Sequence, residues 1–163
     1  MKNHEDIENK IISREMIASV LRNKLAEGKK IVFTNGCFDI LHPGHIHLLT
    51  TAKQYGDILV VGLNSDTSVK MLKGESRPVL DEDARAVILA SLEVVDYVVV
   101  FSEETPLELI REINPDILVK GGDYRIEEIV GSKYMATIGG RTYSVPLLEG
   151  FSSSKLIDKS RNR

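Results

Sequence analysis

The chain has 163 residues, 42% of them hydrophobic and 28% charged, with a formal net charge of −3. That is one globular domain with room for a real core, which excludes a disordered chain. The mixed charge argues against a nucleic-acid partner, no apolar run approaches the ~20 residues of a membrane span, and the single cysteine, Cys37, excludes an internal disulfide.

The first residues are polar and charged, with no signal-peptide core, so the expected location is the cytoplasm. Residues 1–12 read as a polar lead-in, 13–158 as one domain and 159–163 as a polar tail. Ser13 is placed to cap a helix whose apolar stripe is Met16, Ile17, Val20, Leu21 and Leu25, ending at Gly28. A short buried strand is predicted at 31–34. A loop over 36–44 leads to a helix at 45–55 with Ile46, Leu48, Leu49 and Ala52 inward. Residues 58–63 form a strand without polar alternation, so both its faces are expected to be covered. A short helix at 66–72 and a polar loop at 73–78 follow.

Asp81 is placed to cap a helix to about Ser91, and 97–101 is another buried strand. Thr105-Pro106-Leu107-Glu108 reads as a capping box with Pro at the first helical position. Strands at 117–120 and 142–145 complete the set, with a short helix near 126–130 and a weakly signalled stretch at 131–141. Ser152-Ser153-Ser154 is placed to cap a final helix. Apolar strands alternating with helices predict an α/β fold, a parallel sheet of about five strands with helices on both faces. Ligands in such sheets bind beyond the carboxyl ends of the strands.

Two histidines, His42 and His45, follow the first strand and flank a Pro-Gly turn that opens a helix. A helix start offers unpaired N–H groups and a positive dipole end, so it favours phosphate. An imidazole there donates to a phosphoryl oxygen. The plain alternative is that His45 caps the helix and His42 decorates a loop. Asp39 with both histidines would give three zinc ligands, but no further cluster supports a metal site. A Cys37–His nucleophilic pair lacks a third orienting group, and Cys37 reads as a small buried residue. Ser152, Ser153 and Ser154 with Lys155 offer a second anion site. Lys73-Gly74-Glu75-Ser76-Arg77-Pro78 offers two cations on a flexible loop, otherwise a solvated one. Lys120-Gly121-Gly122-Asp123-Tyr124 leaves the fourth strand sharply. Asn64 and Asp66, just after the second strand, either cap its helix or touch a ligand.

His42-Pro43-Gly44-His45 resembles the His-x-Gly-His signature of the nucleotidyltransferase superfamily, and Phe151-Ser152-Ser153-Ser154 resembles its second motif. Together with residues 34–45, Asn64-Ser65-Asp66, 73–78 and 120–124, nearly the whole chain resembles the heptose 1-phosphate adenylyltransferases, stand-alone relatives of the adenylyltransferase domain of bifunctional ADP-heptose synthases. The resemblance implies a Rossmann-like sheet in the order 3-2-1-4-5. It implies transfer of AMP from ATP to D-glycero-β-D-manno-heptose 1-phosphate, giving ADP-heptose and pyrophosphate for the lipopolysaccharide inner core. Mg²⁺ would arrive with ATP, a separate heptose 7-phosphate kinase would supply the acceptor, and relatives imply a homodimer.

By the same resemblance His42, His45 and Lys73 are the catalytic candidates. Asn35, Gly36, Phe38, Asp39, Arg77, Lys120, Gly122, Asp123, Ser152, Ser153 and Ser154 are the candidates for binding nucleotide and sugar. Asp39 and Lys120 are expected at the nucleotide–sugar junction, and Asp123 is expected to orient Lys120 or a sugar hydroxyl. The chain departs from the family where a basic residue often follows the second motif; that place is Ile157. The rival readings are a cytidylyltransferase for glycerol phosphate or another alcohol phosphate, and a nucleotide-binding module without turnover.

Overall fold

A computed structural model describes residues 3–161. Its centre is a five-stranded, all-parallel sheet in the order β3-β2-β1-β4-β5. The strands are β1 (Ile31–Gly36), β2 (Ile58–Asn64), β3 (Tyr97–Phe101), β4 (Ile117–Gly121) and β5 (Arg141–Val145). The helices are α1 (His4–Glu8), α2 (Arg14–Ala26), α3 (Pro43–Lys53), α4 (Asp66–Lys73), α5 (Glu82–Ser91), α6 (Leu107–Ile113), α7 (Ser132–Thr137) and α8 (Ser153–Arg161). A single 3₁₀ turn, Ile126–Glu128, stands where a short helix was expected.

Successive strand residues point to opposite faces, so each strand feeds two cores. Val32, Leu59, Val61 and Val98 pack with Leu49 of α3 and Leu89 of α5 on one side. Phe33, Val60 and Val99 pack with Ile17 and Leu21 of α2, Ile110 of α6 and Met135 of α7 on the other. Covering on both faces is why these strands carry no polar alternation.

The N-terminal ends of the strands are tied by a recurring device. Asp57, Asp96 and Asp116 each stand just before a strand and accept from a neighbouring segment. Their partners are the N–H groups of Lys30 at 2.8 Å, Leu59 at 2.7 Å and Ile31 at 2.7 Å. These bonds satisfy donors that lie outside the regular ladder.

Some local expectations change. Ile46 and Met16, expected inward, are exposed. The helix over 43–53 turns only Leu48, Leu49 and Ala52 to the core, and α2 turns only Ile17 and Leu21. Ser13 stands at the N-cap of α2 without a side-chain cap bond, and Pro106 rather than Thr105 caps α6, so the capping box does not form. The stretch at 131–141 contains α7, whose Met135 is fully buried. Residues 3–12, read as a lead-in, lie against the sheet: Lys10 donates to Leu92 O at 3.0 Å and Val95 O at 2.5 Å, and Ile12 N–H to Val98 O at 2.9 Å.

Candidate active site

The site lies beyond the carboxyl ends of β1 and β4, where the strand order reverses direction, the place at which open α/β sheets bind ligands. β1 ends at Gly36 and a short loop leads into α3. Pro43 sits in the first turn, which suits its fixed φ and missing N–H. His42, not His45, is the cap: its Nδ1 accepts from the Gly44 N–H at 3.1 Å. Accepting at Nδ1 leaves the proton of the neutral ring on Nε2, so His42 presents a donor. A Cβ on Gly44 would lie 2.9 Å from the His42 ring, so a side chain there would displace the imidazole.

The two imidazoles stack, with centroids 3.8 Å apart and 21° between planes. His45 is further packed against the ring of Phe38 at 5.1 Å. Burial, then the charge of a protonated His42 and of Lys73, holds His45 down to about 4. Burial also lowers His42. Both rings are therefore neutral hydrogen-bond groups near pH 7, not permanent cations. The buried Nδ1 of His45 has no hydrogen-bond partner among the described residues.

Two cavities meet here. One, of about 290 Å³, runs between the start of α3, β4, the segment after β5 and the start of α8. Its walls include Leu48, Tyr124, Val145, Leu147 and Phe151, an apolar slot suited to a planar base. The other, of about 350 Å³, is lined by Asn64, Arg77, Glu104, Thr105 and Val130 among others, and carries more charged side chains than the first. Asn35, Gly36, Cys37, Phe38, His45, Lys73, Lys120 and Ser153 line both. A group carried in one cavity can thus meet a group carried in the other along this shared wall.

Three cations stand around the wall. Lys73 closes α4, and Lys120 is in β4. Burial lowers the Lys120 pKa, and Lys73 acts in the same direction. Arg77 is 7% exposed; its Nη1 reaches Ser154 Oγ at 3.3 Å, while its Nη2 is buried with no partner among the described residues. A guanidinium N–H in a cavity wall is suited to an anion.

Asp39, expected at the nucleotide–sugar junction, lines the second cavity, but both its oxygens are engaged inside the protein. Oδ2 accepts from Arg77 Nε at 2.6 Å, and Oδ1 from the N–H groups of Val79 at 2.7 Å and Leu80 at 3.3 Å. Burial opposes its charge, but the Arg77 bond and the two amides outweigh that and hold the carboxyl below its ordinary value. Asp39 therefore fixes Arg77.

The second motif opens α8 as expected. Ser152 Oγ accepts from Lys155 N–H at 3.1 Å, and Ser153 Oγ donates to Ile40 O at 3.0 Å. These bonds seat the helix start against the β1–α3 loop. Ile157 is 5% exposed and faces inward, and Arg77 joins Lys155 as a cation beside this helix start, through Ser154.

Gly122 and Asp123 line neither cavity. Gly122 has φ +132°, and a Cβ there would lie 2.3 Å from the Tyr124 ring. Its freedom lets the chain turn so that Tyr124 reaches the first cavity. Asp123 is exposed and makes no bond to Lys120. Cys37 lines both cavities, where a core residue was expected; burial raises its pKa, against the pull of Lys73 and other nearby cations. Sequence reasoning also missed Tyr124, the segment 145–148 and the buried Arg85. The paired glycines were the one available signal for Tyr124.

Among the described residues, no three His, Cys, Asp or Glu side chains group as a metal site. No described helix is long and apolar enough to cross a membrane.

Residues 33–159 match the cytidylyltransferase-like family. The chain is 53% identical over 156 residues to the bifunctional protein HldE of Geobacter metallireducens, covering 96% of this chain and 32% of that protein. It is 57% identical over 137 residues to HldE of a Bradyrhizobium species, covering 84% and 28%. It thus spans about a third of the length of these curated relatives. Its fold matches the crystal structure of the lipopolysaccharide core biosynthesis protein of Thermoplasma volcanium, with TM-score 0.59 and 32% identity, covering 74% of this chain and 98% of that one. Pantoate-beta-alanine ligase from Francisella tularensis, crystallised with beta-gamma ATP and beta-alanine, shares the fold at TM-score 0.63 and 19% identity, covering 93% of this chain and 76% of that one. The shared wall, the two histidines at a helix start and the family match agree: the chain belongs to the cytidylyltransferase-like family and is a nucleotidyltransferase.

Proposed function

We propose that this protein transfers AMP from ATP to D-glycero-β-D-manno-heptose 1-phosphate. The observation that carries the reading is the pair of cavities joined by one wall of neutral imidazole and cations. Kinship with HldE proteins and with a lipopolysaccharide core biosynthesis protein supports heptose as the acceptor.

In this reading the adenine and ribose occupy the first cavity, and the triphosphate lies across the starts of α3 and α8. MgATP is the substrate form: Mg²⁺ travels on the triphosphate. The sugar phosphate occupies the second cavity, with Arg77 and Lys73 on its phosphate and Asn64, Glu104 and Thr105 near its hydroxyls. An acceptor phosphate oxygen attacks the α-phosphorus, the bond from that phosphorus to the β-phosphate bridging oxygen breaks, and pyrophosphate leaves with the electron pair. No covalent enzyme intermediate is needed. The protein brings two anions together and stabilises charge on the phosphoryl group in flight. His42 Nε2–H and His45 supply neutral donors there; Lys73, Lys120 and Arg77 offset the repulsion. The acceptor would come from a separate kinase acting on the heptose, and the protein would work as a cytoplasmic homodimer.

The test is pyrophosphate release with heptose 1-phosphate, comparing MgATP with MgCTP. Release with ATP, inhibited little by CTP, supports the reading. Release with CTP alone supports the cytidylyltransferase alternative.

A further inference from the structure

The guanidinium of Arg85 is the most deeply buried charge among the described residues that the proposed reaction does not use; its side chain is 0% exposed. It extends from α5 and ties four pieces of the site's frame. Nε donates to Leu80 O at 3.0 Å. Nη1 donates to Cys37 O at 2.7 Å and Asn64 O at 2.8 Å. Nη2 donates to Asp66 Oδ1 at 2.7 Å. One side chain thus joins the loop after β1, the end of β2, the start of α4 and the segment after Arg77.

The bond to Cys37 O has a consequence for catalysis. A trans peptide is planar, with its C=O and N–H antiparallel. Arg85 draws the Cys37 carbonyl toward the core, so the N–H of the same peptide, that of Phe38, points away from Arg85. Among the described residues this N–H has no acceptor. Phe38 lies on the wall common to both cavities. It also holds φ +45°, a left-handed conformation that a non-glycine residue adopts only when its surroundings impose it. Those surroundings are visible: its ring is 4% exposed and lies where a Cβ on Gly36 would come within 3.0 Å, and Asp39 is locked to Arg77, Val79 and Leu80.

We propose that Arg85 is a positioning residue for phosphoryl transfer: by holding the Cys37–Phe38 peptide it aims the Phe38 N–H at the reacting phosphoryl group. Unlike the histidines, it acts without touching substrate. The proposal rests on the nucleotidyl-transfer reading for its kinetic arm.

Arg85→Lys keeps the charge and the length but loses the fork that grips three carbonyls at once. Arg85→Gln provides a second variant if the first folds poorly. Two measurements decide. In ¹⁵N NMR, the Phe38 amide of the wild type is expected to shift on adding α,β-methylene-ATP with Mg²⁺, and that shift is expected to be lost in a folded variant. In kinetics, kcat is expected to fall by about 10²-fold, the loss of one transition-state donor, with KM for ATP within about threefold. An unmoved Phe38 amide in the wild type, or a folded variant with both the amide shift and kcat intact, overturns the proposal. A merely structural role would lower the melting temperature without this split of kcat from KM. If wild-type protein turns over no acceptor, the transfer reading fails, while the amide shift still decides the role of Arg85.

Discussion

His45 concentrates the chemistry of the site in one ring. It is stacked on His42, packed on Phe38 and held neutral by burial, so near pH 7 it offers one N–H to a developing phosphoryl charge. His45→Ala is expected to cut kcat by on the order of 10²–10³ while the protein still unfolds cooperatively near the wild-type temperature. Turnover near that of the wild type would remove His45 from the mechanism. The same ring has a signature in stability. Its pKa is about 4 when folded and about 6.5 when unfolded, so between those values the unfolded chain binds a proton that the folded one does not. Stability therefore declines as pH falls from about 6.5 to about 4, and this contribution is constant outside that window. Urea midpoints at pH 7 and pH 4.5 should lie closer together for His45→Asn than for wild type. Equal separations would contradict the burial of a neutral imidazole.

At the scale of the elements, the loops after the strands line the two cavities and the ends before the strands hold the sheet. Asp116 illustrates the second. It accepts from the N–H of Ile31, a residue with no exposed surface at the start of the central strand. Asp116→Ala strands that donor, and is expected to cost about 1–3 kcal/mol of stability with KM unchanged, since the change lies at the opposite end of the strand from the site. A changed KM with unchanged stability would contradict this division. The strands and most helices were legible because apolar runs and period-3.6 stripes are local signals. The capping details were less so: a Thr-Pro-Leu-Glu string is compatible with a capping box, but Pro106 takes the cap position itself. Asp39 shows the same limit in the site. Its place in the motif was readable, but that both oxygens serve Arg77 and the 79–80 amides depends on chain segments brought together only by folding. Arg85 carried no sequence signal for the same reason, since its four partners are scattered between Cys37 and Leu80.

For the whole molecule, the order β3-β2-β1-β4-β5 puts the two cavities on either side of the exit from β1 and β4, so one loop and one helix start line both. Residues 10–12 extend the sheet beside β3, where Val98 N–H donates to Lys10 O and Ile12 N–H to Val98 O, each at 2.9 Å. That covers an edge which would otherwise offer free backbone groups. Polar composition concealed this, because of residues 3–12 only Ile7, Ile11 and Ile12 pack against the cores. In the proposed transfer both cavities fill at once and AMP crosses the wall between them. The most direct measurement is the mass of the product formed by purified protein from MgATP and D-glycero-β-D-manno-heptose 1-phosphate, with pyrophosphate counted in parallel. ADP-heptose and pyrophosphate are expected in equal amounts; ATP bound tightly with neither product formed would contradict the proposed transfer.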